Sequence, residues 1–267
     1  MIPSLASMNE TDTVQADKTQ AGRTAVVTGG GRGIGAAIVR RLAADGASVV
    51  FSYRDDTDAA DRLVKQIRAD GGSVWAVKAD QADRDAVIRL FDEADRRFAG
   101  SAGPGLNVLV VNAGTVSTCA IDEVSEDDYE RIMAVNTKGA FFTLQQAFPR
   151  LRDHARVVAV STMSTVYASG GESVYAASKA AVEQFIRVAA KELGPRGITA
   201  NTIAPGPTDT DLLRAAVPEE ARQAVAHMTP LGRLAQPSDI AEVAAFLIGP
   251  DSGWITGQNI PANGGLV

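Results

Sequence analysis

Tyr175 and Lys179 stand four residues apart in the segment Tyr175-Ala176-Ala177-Ser178-Lys179. That spacing places both side chains on one face of a helix, one turn from each other. Such a pair is suited to moving a proton. When hydride reaches a carbonyl carbon, the oxygen needs a proton, and the reverse reaction needs a base. A free phenol, with a pKa of about 10, is too weak an acid to serve as that base at neutral pH. A neighbouring ammonium favours the phenolate and lowers that value. On its own a Tyr–Lys pair at this spacing is most often surface decoration, so its meaning depends on its surroundings.

Those surroundings include a second chemical signal. Thr28-Gly29-Gly30-Gly31-Arg32-Gly33-Ile34-Gly35 follows a short apolar run and opens an amphipathic stretch. Glycines there let backbone N–H groups approach a ligand, and a helix N-terminus adds free donors and partial positive charge, which suits a pyrophosphate. A tight turn without a ligand is the plainer alternative. A P-loop is excluded, because no Lys-Ser/Thr pair follows the last glycine.

The spacing Gly29-x-x-x-Gly33-x-Gly35 departs from the GxGxxG of ordinary dinucleotide folds. With Thr28 in front it resembles the TGxxxGxG fingerprint of the short-chain dehydrogenase/reductase family, and Tyr175-x-x-x-Lys179 resembles that family's acid/base pair. The resemblance covers residues 23–267. It is nearest to the 3-oxoacyl-carrier-protein reductase and polyhydroxynaphthalene reductase-like branch, which the ending Gly257-Gln258-Asn259-Ile260-Pro261-Ala262-Asn263-Gly264-Gly265 also fits.

The resemblance implies a nicotinamide cofactor and a set of roles. Thr28, Gly29, Gly31, Arg32, Gly33, Ile34 and Gly35 would line the pyrophosphate. Where NAD-binding members carry an acid after the second strand, this chain has Tyr53 followed by Arg54. A missing carboxylate removes the repulsion toward a 2′-phosphate, and Arg54 with Arg32 could clamp one. NADP(H) is therefore expected over NAD(H), with a solvated Arg54 beside Asp55 and Asp56 as the rival reading. Asp80 and Gln81 fall where the family meets adenine. Asn112, Ala113 and Gly114 match its NNAG, with Val111 in place of the first Asn, and would pack beside the adenosine half and brace the sheet. Pro205, Gly206, Thr208 and Thr210 match PGxxxT and would hold the nicotinamide carboxamide, followed by a substrate lid over residues 207–230.

Four residues complete the implied catalytic set. Tyr175 is the acid/base. Lys179 lowers its pKa and holds the nicotinamide ribose. Asn136 kinks its helix and holds a relay water. The substrate-orienting hydroxyl, a serine in close relatives, falls 13 residues before Tyr175 on Thr162, with Ser164 and then Ser161 as fallbacks. A threonine hydroxyl donates the same bond, but its methyl group stiffens χ1 and narrows the pocket.

These residues need a scaffold, and the hydrophobic pattern supplies one. Near-continuous apolar runs at 24–28, 48–53, 73–78, 107–112, 156–161, 199–203 and 258–262 read as strands covered on both faces. Between them lie helical patterns at 33–45, 57–70, 84–98, 126–150, 173–193 and 238–248. Ser125 with Asp128 reads as a helix start, and Gly46, Gly71 and Gly194 as helix ends. Strict β-α alternation predicts an α/β fold, a single-domain Rossmann-like doubly wound parallel sheet. Residues 1–20 read as a flexible tail and 21–267 as one domain.

The bulk figures narrow the function. A net charge of −6 over 267 residues argues against nucleic acid as partner. No run is long and apolar enough for a membrane span, and the N-terminus lacks a secretory pattern. One cysteine, Cys119, permits no internal disulfide, so a reducing, cytoplasmic setting is expected. His154 and His227 lack ligand company, so no metal is expected. The expected partner is a small-molecule carbonyl or alcohol, and the resemblance implies a homotetramer, with a dimer as alternative. A catalytically weak NADP(H)-binding regulator is the rival from another class. An epimerase or dehydratase is a second rival, although such chains are usually longer.

Overall fold

The valine-rich runs form seven strands: β1 (Thr24–Val27), β2 (Ser48–Tyr53), β3 (Ser73–Lys78), β4 (Leu106–Val111), β5 (Leu151–Val160), β6 (Thr199–Pro205) and β7 (Asn259–Ala262). All pair in parallel, in the order β3-β2-β1-β4-β5-β6-β7. The computed structural model describes residues 19–99 and 104–267. The helices are α1 (Gly33–Ala44), α2 (Thr57–Ala69), α3 (Arg84–Phe98), α4 (Glu126–Ile132), α5 (Gly139–Ala147), α6 (Ser173–Leu193), α7 (Asp211–Ala216), α8 (Glu219–Met228) and α9 (Pro237–Ile248). The doubly wound sheet expected from the alternation is the one found.

The alternating pleat splits the apolar core between the two sheet faces. Val26, Leu109, Val157 and Ala200 point to the side covered by α3, α5 and α6. Their neighbours Val27, Val110, Val158 and Ile203 point to the side covered by α1, α2 and α9. Strand order reverses between β1 and β4, so the carboxyl ends of these strands diverge into a crevice, the usual ligand position in such sheets. The glycine turn and Asn112 flank that crevice.

Several boundaries differ from the sequence expectation. The helical pattern over 126–150 is interrupted: α4 runs into a π-helical segment, Met133–Lys138, before α5 resumes. Strand β5 begins at Leu151 rather than Arg156, because the polar stretch Arg152-Asp153-His154 continues the strand along its exposed end. Gly46 (φ 94°) and Gly71 (φ 80°) end their helices in left-handed conformation as expected, but Gly194 stays right-handed and Gly197 (φ 68°) makes the reversal. Ser125 caps α4 as expected, its Oγ accepting from Asp128 N at 3.1 Å. Of the tail, residues 1–18 lie outside the described residues. Gln20 belongs to the domain instead: it is buried, and its N–H donates to Asp45 O at 2.8 Å.

Candidate active site

The glycine turn joins β1 to α1, and its shape is fixed by neighbours on both sides. Thr28 N–H donates to Val110 O at 3.0 Å, and Gly30 N–H to Ser52 O at 2.8 Å. Ser52 Oγ accepts from Gly29 N–H at 3.0 Å. Asn112 Nδ2 donates to Thr28 O (3.0 Å) and Gly29 O (2.9 Å). The bracing expected of Asn112 is made by its amide, both of whose hydrogens meet backbone carbonyls of the turn. Two glycines are required by close approach. A Cβ on Gly35 would lie 2.2 Å from Gly29 O, and one on Gly30 would lie 2.6 Å from Phe51 Cβ. Gly30, passed over in the sequence reading, is therefore a packing glycine.

The turn suits an anion. Helices α2, α3 and α4 are each capped by a side chain, from Asp56, Asp83 and Ser125. Helix α1 has no such cap and no acidic residue in its first turn. Its leading N–H groups and helix dipole are left to a phosphate, and nothing acidic repels one. Arg32, at the cap position, is exposed. A Cβ on Gly31 would lie 3.2 Å from Tyr53 Cβ, so Tyr53 and Arg54 sit beside the turn. Arg54 Nε donates to Asp55 Oδ2 at 2.5 Å, while Asp56 is engaged as the α2 cap. Thr210 faces the turn from the opposite side, its methyl group 3.3 Å from where a Gly33 Cβ would stand.

Further along the crevice, two expected contacts are turned elsewhere. Gln81 is buried and donates through Nε2 to Gly139 O (2.9 Å) and Thr143 Oγ1 (2.5 Å). Its side chain ties β3 to α5 rather than reaching a ligand. Asp80 is exposed, its Oδ1 accepting from Ala82 N at 2.9 Å. Thr210 Oγ1 accepts from Leu213 N at 3.2 Å as the α7 cap, which leaves its hydroxyl proton and one lone pair for a ligand. Thr208 donates to Gly206 O at 2.9 Å, and Gly206 N–H to Ala262 O at 3.0 Å, which anchors the segment after Pro205 to β7. Two short helices, α7 and α8, occupy the lid position, with Leu212 and Met228 exposed on them.

The four expected catalytic residues converge. Asn136 lies in the π-helical segment and is buried. Its Oδ1 accepts from Thr115 N (2.8 Å), and its Nδ2 donates to Thr115 O (2.9 Å) and Ser178 Oγ (2.9 Å). Ser178 in turn donates to Tyr175 O at 2.7 Å. The amide is therefore a brace between the loop after β4 and α6. Any relay water is left to backbone groups, which a widened π turn tends to free.

Lys179 is buried, and its Nζ donates to Val160 O at 2.8 Å. Gly114 lies over it, and a Cβ there would stand 3.1 Å from Nζ. Desolvation lowers the ammonium's pKa to about 8. Burial likewise pushes the Tyr175 phenol above its ordinary value, with Thr162 acting downward and Glu172 upward. Lys179 Nζ is turned to the strand carbonyl of Val160.

Thr162 sits at the end of β5 as cap of a single 3₁₀ turn, Met163–Thr165. Its Oγ1 accepts from Ser164 N at 3.2 Å and lies 3.1 Å from Ser164 Oγ. Ser164 thus supports Thr162. The Ser161 fallback is excluded: its Oγ donates to Glu183 Oε1 at 2.6 Å, away from Tyr175. Glu183 went unnoticed in the sequence, although it continues the Tyr175–Lys179 face by one more turn. No group of three or more His, Cys, Asp or Glu suited to a metal occurs among the described residues.

An uncapped helix after a glycine turn at the switch point, facing a Thr–Tyr–Lys cluster, defines a dinucleotide-dependent oxidoreductase site. The comparisons with known proteins agree. Residues 29–267 match a family model described as enoyl-(acyl carrier protein) reductase. The chain is 41% identical to the hydroxynaphthalene reductase-like protein Arp2 of Metarhizium brunneum, covering 98% of this chain and 100% of that one. It is 37% identical to the short chain dehydrogenase/reductase AacuN of Aspergillus aculeatus, covering 92% and 96%. Among solved structures it superimposes on landomycin C-6 ketoreductase LanV with bound NADP and rabelomycin, with a TM-score of 0.84, 37% identity and coverage of 93% and 97%. The chain belongs to the short-chain dehydrogenase/reductase family, whose members are oxidoreductases acting on carbonyl and alcohol groups.

Proposed function

We propose that this protein is an NADP(H)-dependent ketoreductase acting on a ring ketone of an apolar, hydroxylated polycyclic compound. The observation that carries the reading is the buried Lys179, one turn along α6 from Tyr175 with its Nζ on Val160 O at 2.8 Å, beside Thr162 at the end of the same strand. The cofactor, when bound, supplies hydride to the carbonyl carbon. The uncapped N-terminus of α1 and the glycine turn hold its pyrophosphate, and Arg32 and Arg54 favour a 2′-phosphate. Thr162 donates to the substrate oxygen and fixes its position, and Tyr175, kept protonated by burial, delivers the proton. The rival reading of a regulator without turnover rested on threonine standing for serine; a threonine hydroxyl can donate the bond that a serine would.

The ring-ketone assignment draws on the hydroxynaphthalene reductase-like and LanV relatives. It also draws on the exposed apolar side chains Val166 and Tyr167, in the loop following Thr162, and Leu212 and Met228, on the lid helices. A 3-oxoacyl thioester is the second reading, favoured by the enoyl-(acyl carrier protein) reductase family model matched over residues 29–267. Following NADPH absorbance with both substrate classes tests the proposal. Turnover of cyclic ketones, lost in Thr162→Ala, is expected. Exclusive turnover of acyl thioesters, or a fully active Thr162→Ala, overturns the corresponding part.

We further propose a homotetramer in the cytoplasm. Phe141 on α5 and Val188 on α6 are exposed apolar residues on one helical layer, with Phe141 stacked edge-on against Phe185 at 5.5 Å. Trp254 and Phe246 give a second exposed apolar surface near β7 and α9. Light scattering that reports a monomer overturns this assembly. Among the described residues no helix is long and apolar enough to cross a membrane.

A further inference from the structure

Helix α6 turns one face toward the end of β5 over three successive turns. Tyr175 begins that face, Lys179 donates to Val160 O, and Glu183 Oε1 accepts from Ser161 Oγ and from Thr165 Oγ1, each at 2.6 Å. Ser161 and Thr165 bracket Thr162. The first is fixed to β6 through its N–H, which donates to Ile203 O at 2.7 Å. The second closes the turn that Thr162 caps.

Glu183 is buried, and a carboxylate is costly in such a place unless its oxygens are bonded. Here one oxygen takes both hydroxyls, and the other faces Arg187 Nη2 at 3.4 Å. Hydrogen bonds to an ionised acceptor are stronger than neutral ones. This matters for Thr165, whose single hydroxyl proton has two acceptors in reach: Glu183 Oε1 at 2.6 Å and Thr162 O at 3.0 Å. The charged acceptor takes it. Without the carboxylate that proton turns to Thr162 O, Ser161 loses its partner, and the turn bearing Thr162 is released from α6.

We infer that Glu183 is a positioning residue for the reaction: by holding Ser161 and Thr165 it fixes Thr162 against Tyr175. This rests on the proposed role of Thr162. Placement errors of about 1 Å in such contacts cost on the order of 10²-fold in rate.

The experiment compares Glu183→Ala, Glu183→Gln and the double variant S161A/T165V, with Glu183→Ala also made in the Thr162→Ala background. It measures kcat, KM, NADPH affinity and thermal unfolding on the full-length protein. Glu183→Ala is expected to lose kcat by about 10²-fold with NADPH affinity unchanged. Glu183→Gln, whose neutral carbonyl oxygen can still accept from Ser161 but competes evenly with Thr162 O for the Thr165 proton, recovers only part of that loss. In the Thr162→Ala background, removing Glu183 adds no further loss. A folded Glu183→Ala with wild-type kcat, or losses that multiply fully with those of Thr162→Ala, overturns the inference. If Glu183→Ala does not fold, S161A/T165V carries the test: reduced kcat supports the inference and full activity overturns it. Thr162→Ala alone separates the two failures. Full activity there sinks the role of Thr162 and this inference with it, whereas an impaired Thr162→Ala beside an unimpaired Glu183→Ala sinks the inference only.

Discussion

Thr28 accepts two hydrogen bonds from Asn112. Its Oγ1 accepts from the Asn112 backbone N–H at 3.0 Å, and its carbonyl O accepts from Asn112 Nδ2 at 3.0 Å. The pair of bonds joins the ends of β1 and β4 across the switch point and sets the path of the glycine turn. Asn112→Asp removes the two bonds donated by Nδ2, to Thr28 O and Gly29 O, and places a carboxylate against those carbonyls. It is expected to cost about 1–3 kcal/mol of stability, more than Asn112→Ala, and to weaken NADPH binding at least tenfold. Urea denaturation and fluorescence titration check this; unchanged NADPH affinity in Asn112→Asp refutes it.

Tyr175→Phe removes the proton donor and keeps the ring. A loss of about 10²–10⁴-fold in kcat is expected, with NADPH still bound. Because burial holds the phenol above its ordinary pKa, its proton is retained throughout the neutral range. Wild-type kcat/KM for reduction is therefore expected to stay flat through neutrality and to fall only at alkaline pH. A profile that falls between pH 6 and pH 8, at a pKa of about 7, contradicts the assignment.

Lys179 gives a stability signature. Its pKa is about 8 in the folded protein, against about 10.4 for a free lysine. Below the lower value both states carry the proton and stability does not vary with pH on this account. Between the two values the unfolded chain holds the proton and the folded chain does not, so stability rises with pH, by up to about 1.4 kcal/mol per unit. The difference between wild type and Lys179→Met should therefore be constant below about pH 8 and shift in favour of wild type up to about pH 10.4. Denaturant melts across that window test it, and a difference independent of pH is the contrary result.

On the proposed 2′-phosphate role, Arg54 would enter ligand binding by exchange, since it is bonded to Asp55. Both side chains are more than half exposed, and such pairs are weak, about 0.2–1 kcal/mol. Asp55→Asn should free the guanidinium and tighten NADP⁺ binding by at most about fivefold. Arg54→Ala should weaken NADP⁺ and spare NAD⁺. Equal effects on both cofactors would remove Arg54 from the 2′-phosphate site.

The two local motifs were legible because their chemistry lies within one turn of helix or loop. A glycine turn and an i, i+4 pair declare themselves in consecutive residues. What the sequence hid was where polar side chains find partners. Gln81 bonds residues 58 and 62 positions away, and Glu183 reaches 22 positions back to Ser161. Neither pairing has a periodic signature. The strand extension through His154 was missed because exposed polar residues interrupt the apolar run. The π-helical segment was hidden by a seamless amphipathic pattern, although the family resemblance led to a kink at Asn136. Ser161, Thr162 and Ser164 looked interchangeable as hydroxyls; the extended backbone at Thr162, with φ −158° and ψ 153°, and the pull of Glu183 on Ser161 separate them.

The split of the apolar interior between the sheet faces has a mechanical consequence. Helix α1 belongs to one lobe and α6 to the other, with the sheet as their common wall. A dinucleotide bound as proposed, reaching from Gly33 to Lys179, would lie across the rim of that wall and fasten lobe to lobe like a clip on the spine of a book. Opening either lobe then forfeits the whole binding free energy, about 2.7 kcal/mol at a hundredfold excess of ligand over Kd. Local fraying on either side becomes a single shared event, and the ligand that brings the hydride also makes the protein melt as one body.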